Sequence, residues 1–139
     1  ETGAIFGGEH SAHYYFRDFW RADSGMLAAL HVLAALGSQD GPLSGLMAEF
    51  SRYAASGEIN SEVDDQRGRM DAVREHFATR DGARSDEVDG LTVQLDGGSW
   101  FNLRPSNTEP LLRLNVEAPS DSEVAALRDE VLALIRTSG

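Results

Sequence analysis

Leu91-Thr92-Val93-Gln94-Leu95-Asp96-Gly97-Gly98-Ser99-Trp100-Phe101-Asn102-Leu103 is the stretch on which the fold turns. Leu91, Val93 and Leu95 recur at every second position, the period of a strand with one face inward. Asp96-Gly97-Gly98 is a hairpin turn, because glycine reaches the positive-φ conformations that join two antiparallel strands. Ser99 to Leu103 is the return strand. Further on, Leu112, Leu114 and Val116 repeat the alternation until Pro119 ends it. Upstream, Ile59, Ser61 and Val63 form one more alternating run. Asp64 or Asp65 caps a helix with the buried stripe Met70, Val73 and Phe77. Downstream, Ser120 and Glu123 make a capping box for a helix with the stripe Val124, Leu127, Val131, Leu134 and Ile135. Strand, helix, three strands, helix predicts an antiparallel sheet covered by two helices on one face.

Ala54-Ala55-Ser56-Gly57 marks the boundary to a different unit upstream, where the period changes. There Ile5-Phe6 reads as a short strand ending at Gly7-Gly8, and Tyr14-Tyr15-Phe16 as a second strand. Asp23 or Ser24 caps a helix from about Gly25 to Leu36, closed by Gly37. Met26, Leu27, Leu30, Leu33 and Leu36 make that helix apolar on most sides, so it calls for cover on most sides. Pro42 opens another helix containing Leu43, Leu46, Met47 and Phe50. The start at Glu1 rather than Met, with a strand so near the end, suggests a piece of a longer protein.

Composition bounds the partners. The 139 residues carry 12 basic against 23 acidic side chains, a formal charge of -11, and lysine is absent. That balance argues against nucleic-acid binding, which relies on many cations over the phosphates. An acidic chain that grips an anion must do so with local donors, because its overall field repels one. With no cysteine there is no disulfide framework and no thiolate metal site. No apolar run approaches membrane-spanning length and no signal-peptide pattern opens the chain, so a cytoplasmic protein without a membrane partner is expected.

Two loops carry chemistry. Arg104-Pro105-Ser106-Asn107-Thr108-Glu109-Pro110 lies between two strands and suits a phosphate. Arg104 offers a flat donor fork, Ser106 and Thr108 offer hydroxyls, and the backbone N–H groups of residues 106 to 109 can curl around the anion. Pro105 and Pro110 stiffen the loop. Glu109 sits awkwardly beside an anion and is expected to accept backbone N–H groups or brace Arg104. In Gly7-Gly8-Glu9-His10-Ser11-Ala12-His13, an extended backbone would project Glu9, Ser11 and His13 to one side and His10 to the other. A carboxylate and a serine hydroxyl suit the vicinal diol of a sugar, and His13 could bind a hydroxyl or phosphate or move a proton near neutral pH. Together the loops suggest a sugar phosphate as ligand.

Gly8-Glu9-His10-Ser11-Ala12-His13, with Tyr14-Tyr15-Phe16 and Asp23-Ser24-Gly25 after it, resembles the sugar-binding loop of the α-D-phosphohexomutases. Arg104 through Pro110 resembles that family's C-terminal phosphate-binding loop. The Ser106-Asn107-Thr108 core is most similar to the bacterial phosphomannomutase/phosphoglucomutase group. Phosphoglucosamine mutases usually carry Gly where Asn107 stands and rank second. A stand-alone acidic module that binds a phosphorylated sugar or peptide is the competing non-enzyme reading. Ala12 stands where the family often has Gly.

The resemblance implies an α/β plus α+β chain. Residues 1–54 would be the C-terminal part of the α/β/α third domain, and residues 55–139 a fourth domain. That domain would be similar to the TATA-binding-protein fold, a four-stranded antiparallel sheet with two helices. Glu9, Ser11 and His13 would contact the sugar, and Arg104, Ser106, Asn107 and Thr108 the phosphate that is not being transferred. The full-length enzyme would interconvert hexose 6-phosphate and hexose 1-phosphate through a hexose 1,6-bisphosphate and would use Mg2+. The remaining domains of the parent enzyme would supply the rest of the cleft. The family's phosphoserine loop (Thr-Ala-Ser-His-Asn-Pro-like) and metal loop (Asp-Gly-Asp-x-Asp-Arg-like) do not occur in this sequence, so the chain alone is expected to be inactive.

Overall fold

Every second residue of three successive strands points at the same two helices. The computed structural model describes residues 3–9 and 11–136; His10 lies outside them. In chain order the elements are β1 (Phe6–Gly8), β2 (Tyr14–Phe16), α1 (Gly25–Gly37), α2 (Leu43–Ala48), β3 (Ala54–Ala55), β4 (Ile59–Glu62), α3 (Gln66–Ala78), β5 (Arg84–Asp86), β6 (Leu91–Gln94), β7 (Trp100–Pro105), β8 (Leu111–Ala118) and α4 (Asp121–Ile135). The chain divides into two units, Glu1–Phe50 and Ser51–Gly139.

In the second unit the pairings are antiparallel and register fixes the inner face. Leu91 pairs with Leu103, Leu103 with Leu114, and Leu114 with Ile59, giving one apolar row across four strands. Val93, Phe101 and Val116 form a second row. These rows share a core with Val73 and Phe77 of α3 and with Val124, Leu127, Val131 and Ile135 of α4. Phe77 meets Phe101 edge-on, with ring centroids 4.9 Å apart. Such burial contributes about 25 cal/mol per Å² of apolar surface removed from water, and α3 and α4 are held chiefly by it. Their starts are capped as the sequence predicts. The Asp65 carboxylate accepts the Gly68 N–H at 2.8 Å, and Ser120 Oγ accepts the Glu123 N–H at 3.3 Å. The Glu123 carboxylate returns to the Ser120 hydroxyl.

The sheet is wider than the four strands the sequence pattern predicts. β5 pairs with the free edge of β6. Its three residues are all exposed, so it carries no apolar period to read. The opposite edge is one bent line of chain: β3 pairs with the end of β8 at Ala118 and Glu117, and β4 with its start at residues 111–114. At the bend Gly57 takes φ +65, a left-handed conformation that glycine adopts without steric cost. Ser56 keeps the ladder closed there. Its N–H donates to the Val116 carbonyl and its hydroxyl accepts the Val116 N–H, both at 2.9 Å.

In the first unit β1 and β2 form a hairpin with Phe6 opposite Phe16, Gly7 opposite Tyr15 and Gly8 opposite Tyr14. The cap of α1 is Ser24, whose hydroxyl accepts the Leu27 N–H at 3.2 Å. No residue of α1 is buried, and Met26, Leu30 and Leu33 are 73%, 53% and 61% exposed. Ile5, Phe6, Phe16 and Phe19 border an open apolar trough beside this helix, of about 1160 Å³.

Phe101→Ala removes a fully buried ring and its edge-on partner, and is expected to destabilise the second unit by about 3–5 kcal/mol. Urea unfolding would register this as a lower midpoint with an unchanged slope.

Candidate functional site

Arg104 on β7 and Arg113 on β8 stand directly opposite each other. Their strand neighbours Leu103, Leu112 and Leu114 are buried, so alternation turns both guanidinium groups to the face away from the helices. Like charges at facing positions repel. Glu58, just past the bend in the edge strand, answers both of them. Arg104 Nη2 donates to Glu58 Oε2 at 3.3 Å, and Arg113 Nη1 stands 3.6 Å from Glu58 Oε1. Two looser carboxylates flank the pair. Asp89 Oδ2 lies 3.9 Å from Arg104 Nη1, and Glu109 Oε2 lies 4.0 Å from Arg113 Nη2. Glu109 therefore approaches Arg113, four residues on, and not Arg104. Among the described residues, Arg113 Nε is buried without a hydrogen-bond partner.

The loop between β7 and β8 is held by its carbonyls. Gln66, at the first turn of α3, donates its side-chain amide to the carbonyls of Leu111 (2.8 Å), Glu109 (3.2 Å) and Ser106 (3.4 Å). The Val63 N–H takes the Pro110 carbonyl at 3.0 Å, and the Ser106 N–H closes onto the Leu111 carbonyl at 2.9 Å. The Thr108 N–H reaches Ser106 Oγ only at 3.5 Å. The N–H groups of Asn107 and Glu109 have no partner among the described residues. Occupied carbonyls and unoccupied N–H groups give a loop an anion-binding polarity. Arg104, Ser106, Asn107 and Thr108 line one cavity of about 400 Å³ together with Pro105, Asp89, Gly90 and Arg113. All four residues singled out in this loop from sequence are thus neighbours around one space.

Glu9, Ser11 and His13 also come together, in a turn and not along an extended backbone. The Glu9 N–H donates to the His13 carbonyl and the Ala12 N–H to the Glu9 carbonyl, both at 3.0 Å, so the stretch is a tight turn closing the β1–β2 hairpin. Ala12 occupies φ +63 in it, which explains why glycine suits that position. Ser11 Oγ donates to Glu9 Oε2 at 3.0 Å. The Tyr15 hydroxyl, and then the Ser11 hydroxyl, hold the Glu9 carboxyl below the usual carboxylate range. His13 Nδ1 lies 2.6 Å from Asp23 Oδ2, and the Asp23 carboxylate raises the imidazole pKa above its ordinary value.

Among the described residues no three His, Asp or Glu side chains are grouped so as to hold a metal ion. No helix among the described residues is long and apolar enough to cross a membrane.

The model of the C-terminal domain of phosphoglucomutase/phosphomannomutase matches residues 58–134, which takes in every residue that lines the cavity, Asp89 to Arg113. The chain belongs to the phosphoglucomutase/phosphomannomutase family. That family's alpha/beta/alpha domain III model matches residues 1–53. A phosphomannomutase of Methanocaldococcus jannaschii is 42% identical over 135 residues, covering 97% of this chain and 29% of that protein. A phosphomannomutase of Escherichia coli strain K12 is 41% identical over 131 residues, with 93% and 28% covered. The crystal structure of a phosphoglucomutase/phosphomannomutase family protein from Burkholderia thailandensis superposes with a TM-score of 0.74 at 28% identity, covering 99% of this chain and 30% of that one. The chain spans about 30% of the length of these phosphohexomutase relatives.

In this phosphohexomutase-family chain the sequence pattern assigns no loop-shaping role to five side chains, Arg113, Glu58, Tyr15, Gln66 and Asp23. Arg113 and Glu58 could have been found by counting register across β7, β8 and the edge strand. Tyr15 could have been found as the β2 residue two positions after His13. Gln66 carries no local signal, since it reaches its loop from another element; Asp23 is legible as part of the Asp23-Ser24-Gly25 stretch and as a candidate cap, but not as the partner of His13.

Gly90 takes φ +70, and a Cβ there would stand 2.6 Å from the Leu103 carbonyl oxygen and 2.7 Å from Arg104 Cβ. Gly90→Ala is expected to push the end of β7 aside and lower the unfolding temperature of the chain, read by thermal unfolding. Ala12→Gly relieves a left-handed backbone and is expected to stabilise the first unit by up to about 1 kcal/mol in thermal unfolding.

Proposed function

We propose that this chain supplies sugar and phosphate recognition to a phosphomannomutase/phosphoglucomutase, an isomerase that interconverts hexose 6-phosphate and hexose 1-phosphate through a bisphosphorylated sugar. Residues 1–54 act as the end of its α/β/α third domain and residues 55–139 as its C-terminal domain. The observation that carries the reading is the cavity where Arg104 and Arg113 flank a loop with two N–H groups left open. A phosphate bears several acceptor oxygens and no donor at its dianionic limit, which matches that donor set. Glu58, Asp89 and Glu109 serve as counter-ions while the cavity is empty, at the longer distances typical of pairs an incoming anion can replace. Ser106 and Thr108 add hydroxyl donors, and Asn107 an amide.

The turn at Glu9, Ser11 and His13 reads the sugar. Glu9, held ionised, accepts from hydroxyls, and Ser11 is already aligned on it. The names of the relatives, phosphomannomutase and phosphohexose mutases, support mannose and glucose phosphates as the substrate class. Asn107 in the loop core favours them over glucosamine phosphate. A cytoplasmic setting goes with such substrates. The phosphoserine and the magnesium ligands come from parts of the enzyme outside this sequence, and no step is assigned to this chain beyond binding and orientation.

Two measurements test the proposal. Isothermal titration with mannose 1-phosphate and with inorganic phosphate is expected to show binding that Arg104→Ala and Arg113→Ala each weaken by about ten- to a hundred-fold. Unchanged affinity in both variants would remove the cavity from the reading. The 139-residue chain is expected to show no mutase turnover, and detectable turnover would mean that a nucleophile within it had been overlooked.

A further inference from the structure

Asp23 is held on both sides by the backbone of the hairpin. Its Oδ1 accepts the Tyr14 N–H at 2.7 Å, Tyr15 and Asp23 form an isolated antiparallel bridge, and the Ser24 N–H donates to the Tyr14 carbonyl at 2.9 Å. Its Oδ2 meets His13 Nδ1 at 2.6 Å. An ionised carboxylate only accepts hydrogen bonds, so Nδ1 must carry the proton. In the neutral ring Nε2 is then bare. Among the described residues Nε2 has no hydrogen-bond partner, and the His13 side chain is 52% exposed.

We propose that Asp23 is a positioning residue for His13, fixing the ring in the Nδ1–H form so that Nε2 is the atom offered to a ligand. The inference rests on the reading of Glu9 to His13 as the sugar-binding turn, and goes beyond it by naming the atom and what orients it. With Nε2 bare, His13 accepts from a sugar hydroxyl. With Nε2 protonated, it donates to a phosphate oxygen. A phosphorylated sugar presents both kinds of group, and the same ring orientation serves either.

The charged and titratable groups facing His13 are Asp23 from the segment before α1, Glu9 across the turn, and Tyr15 through Glu9. Both carboxylates act in one direction, raising the imidazole pKa, and Asp23 is the larger cause. The donor form therefore persists to higher pH than in a free histidine. The pairing's contribution to folding follows the same sign: it is full below the unfolded histidine pKa and is lost as pH rises through the raised folded one.

The test is nitrogen NMR of the 139-residue chain labelled at histidine, followed across neutral pH with and without mannose 1-phosphate. The wild-type chain is expected to show a protonated Nδ1 and a bare Nε2 at His13 once neutral, with a midpoint above the ordinary histidine value. Asp23→Asn keeps an acceptor for the Tyr14 N–H but loses the charge, so the His13 midpoint falls and the two ring forms mix. Asp23→Glu restores the raised midpoint at least in part. If Asp23→Asn unfolds the hairpin, the wild-type ring form and Asp23→Glu still decide the matter. A neutral His13 protonated at Nε2, or a midpoint indifferent to Asp23→Asn in a folded hairpin, overturns the inference. A fixed ring form whose Nε2 responds to neither mannose 1-phosphate nor inorganic phosphate overturns the sugar-binding reading while leaving the Asp23–His13 assignment in place.

Discussion

Leu103 and Leu114 face each other in the core, and that pairing obliges Arg104 and Arg113 to face each other on the far side of the sheet. The strand period of two ties the apolar row to the charged one, so neither can shift without the other. A slip of one residue between β7 and β8 would bury a guanidinium and expose a leucine. The hydrophobic core thus sets the spacing of the anion-binding groups, and the loop between the strands needs only to close the gap. Gln66 and Val63 complete the arrangement by drawing the loop's carbonyls toward the helix side of the edge.

Electrostatics then works locally within a chain whose net charge is -11. Two arginines placed together would repel, and Glu58 relieves this from the bend in the edge strand. The pairs around them are partly solvated and long, and such pairs contribute little to stability. That makes them suited to exchange with a ligand anion that brings more acceptor atoms. The turn in the first unit follows another logic. There Glu9 is kept ionised by hydroxyl donors, and His13 is oriented by a carboxylate anchored to backbone.

Legibility along the chain tracks how local each cause is. The alternating strands, the Asp65 and Ser120 caps and the stripes of α3 and α4 were readable because their residues lie within a few positions of one another. The grouping of Arg104 with residues 106–108 was readable for the same reason. Glu9, Ser11 and His13 are gathered by a tight turn rather than by the alternation of an extended run. β5 escaped notice because an exposed edge strand needs no apolar pattern. Asp23 was one of two candidates for the α1 cap; Ser24 takes that role and frees the carboxylate for His13.

Hydrophobic periodicity, turn glycines and caps settled the type and order of the elements, because backbone preferences and one-sided burial act over a few residues. The same short range made the seven residues of the two loops visible, and brought the family likeness with them. The partners that tune those loops arrive from distant positions: Glu58 lies 46 residues before Arg104, Gln66 lies 45 before Leu111, and Asp23 lies 10 after His13. Contacts across such separations depend on strand register and on where a bend falls. Those are set by packing the whole core at once, and no local stretch of sequence carries them.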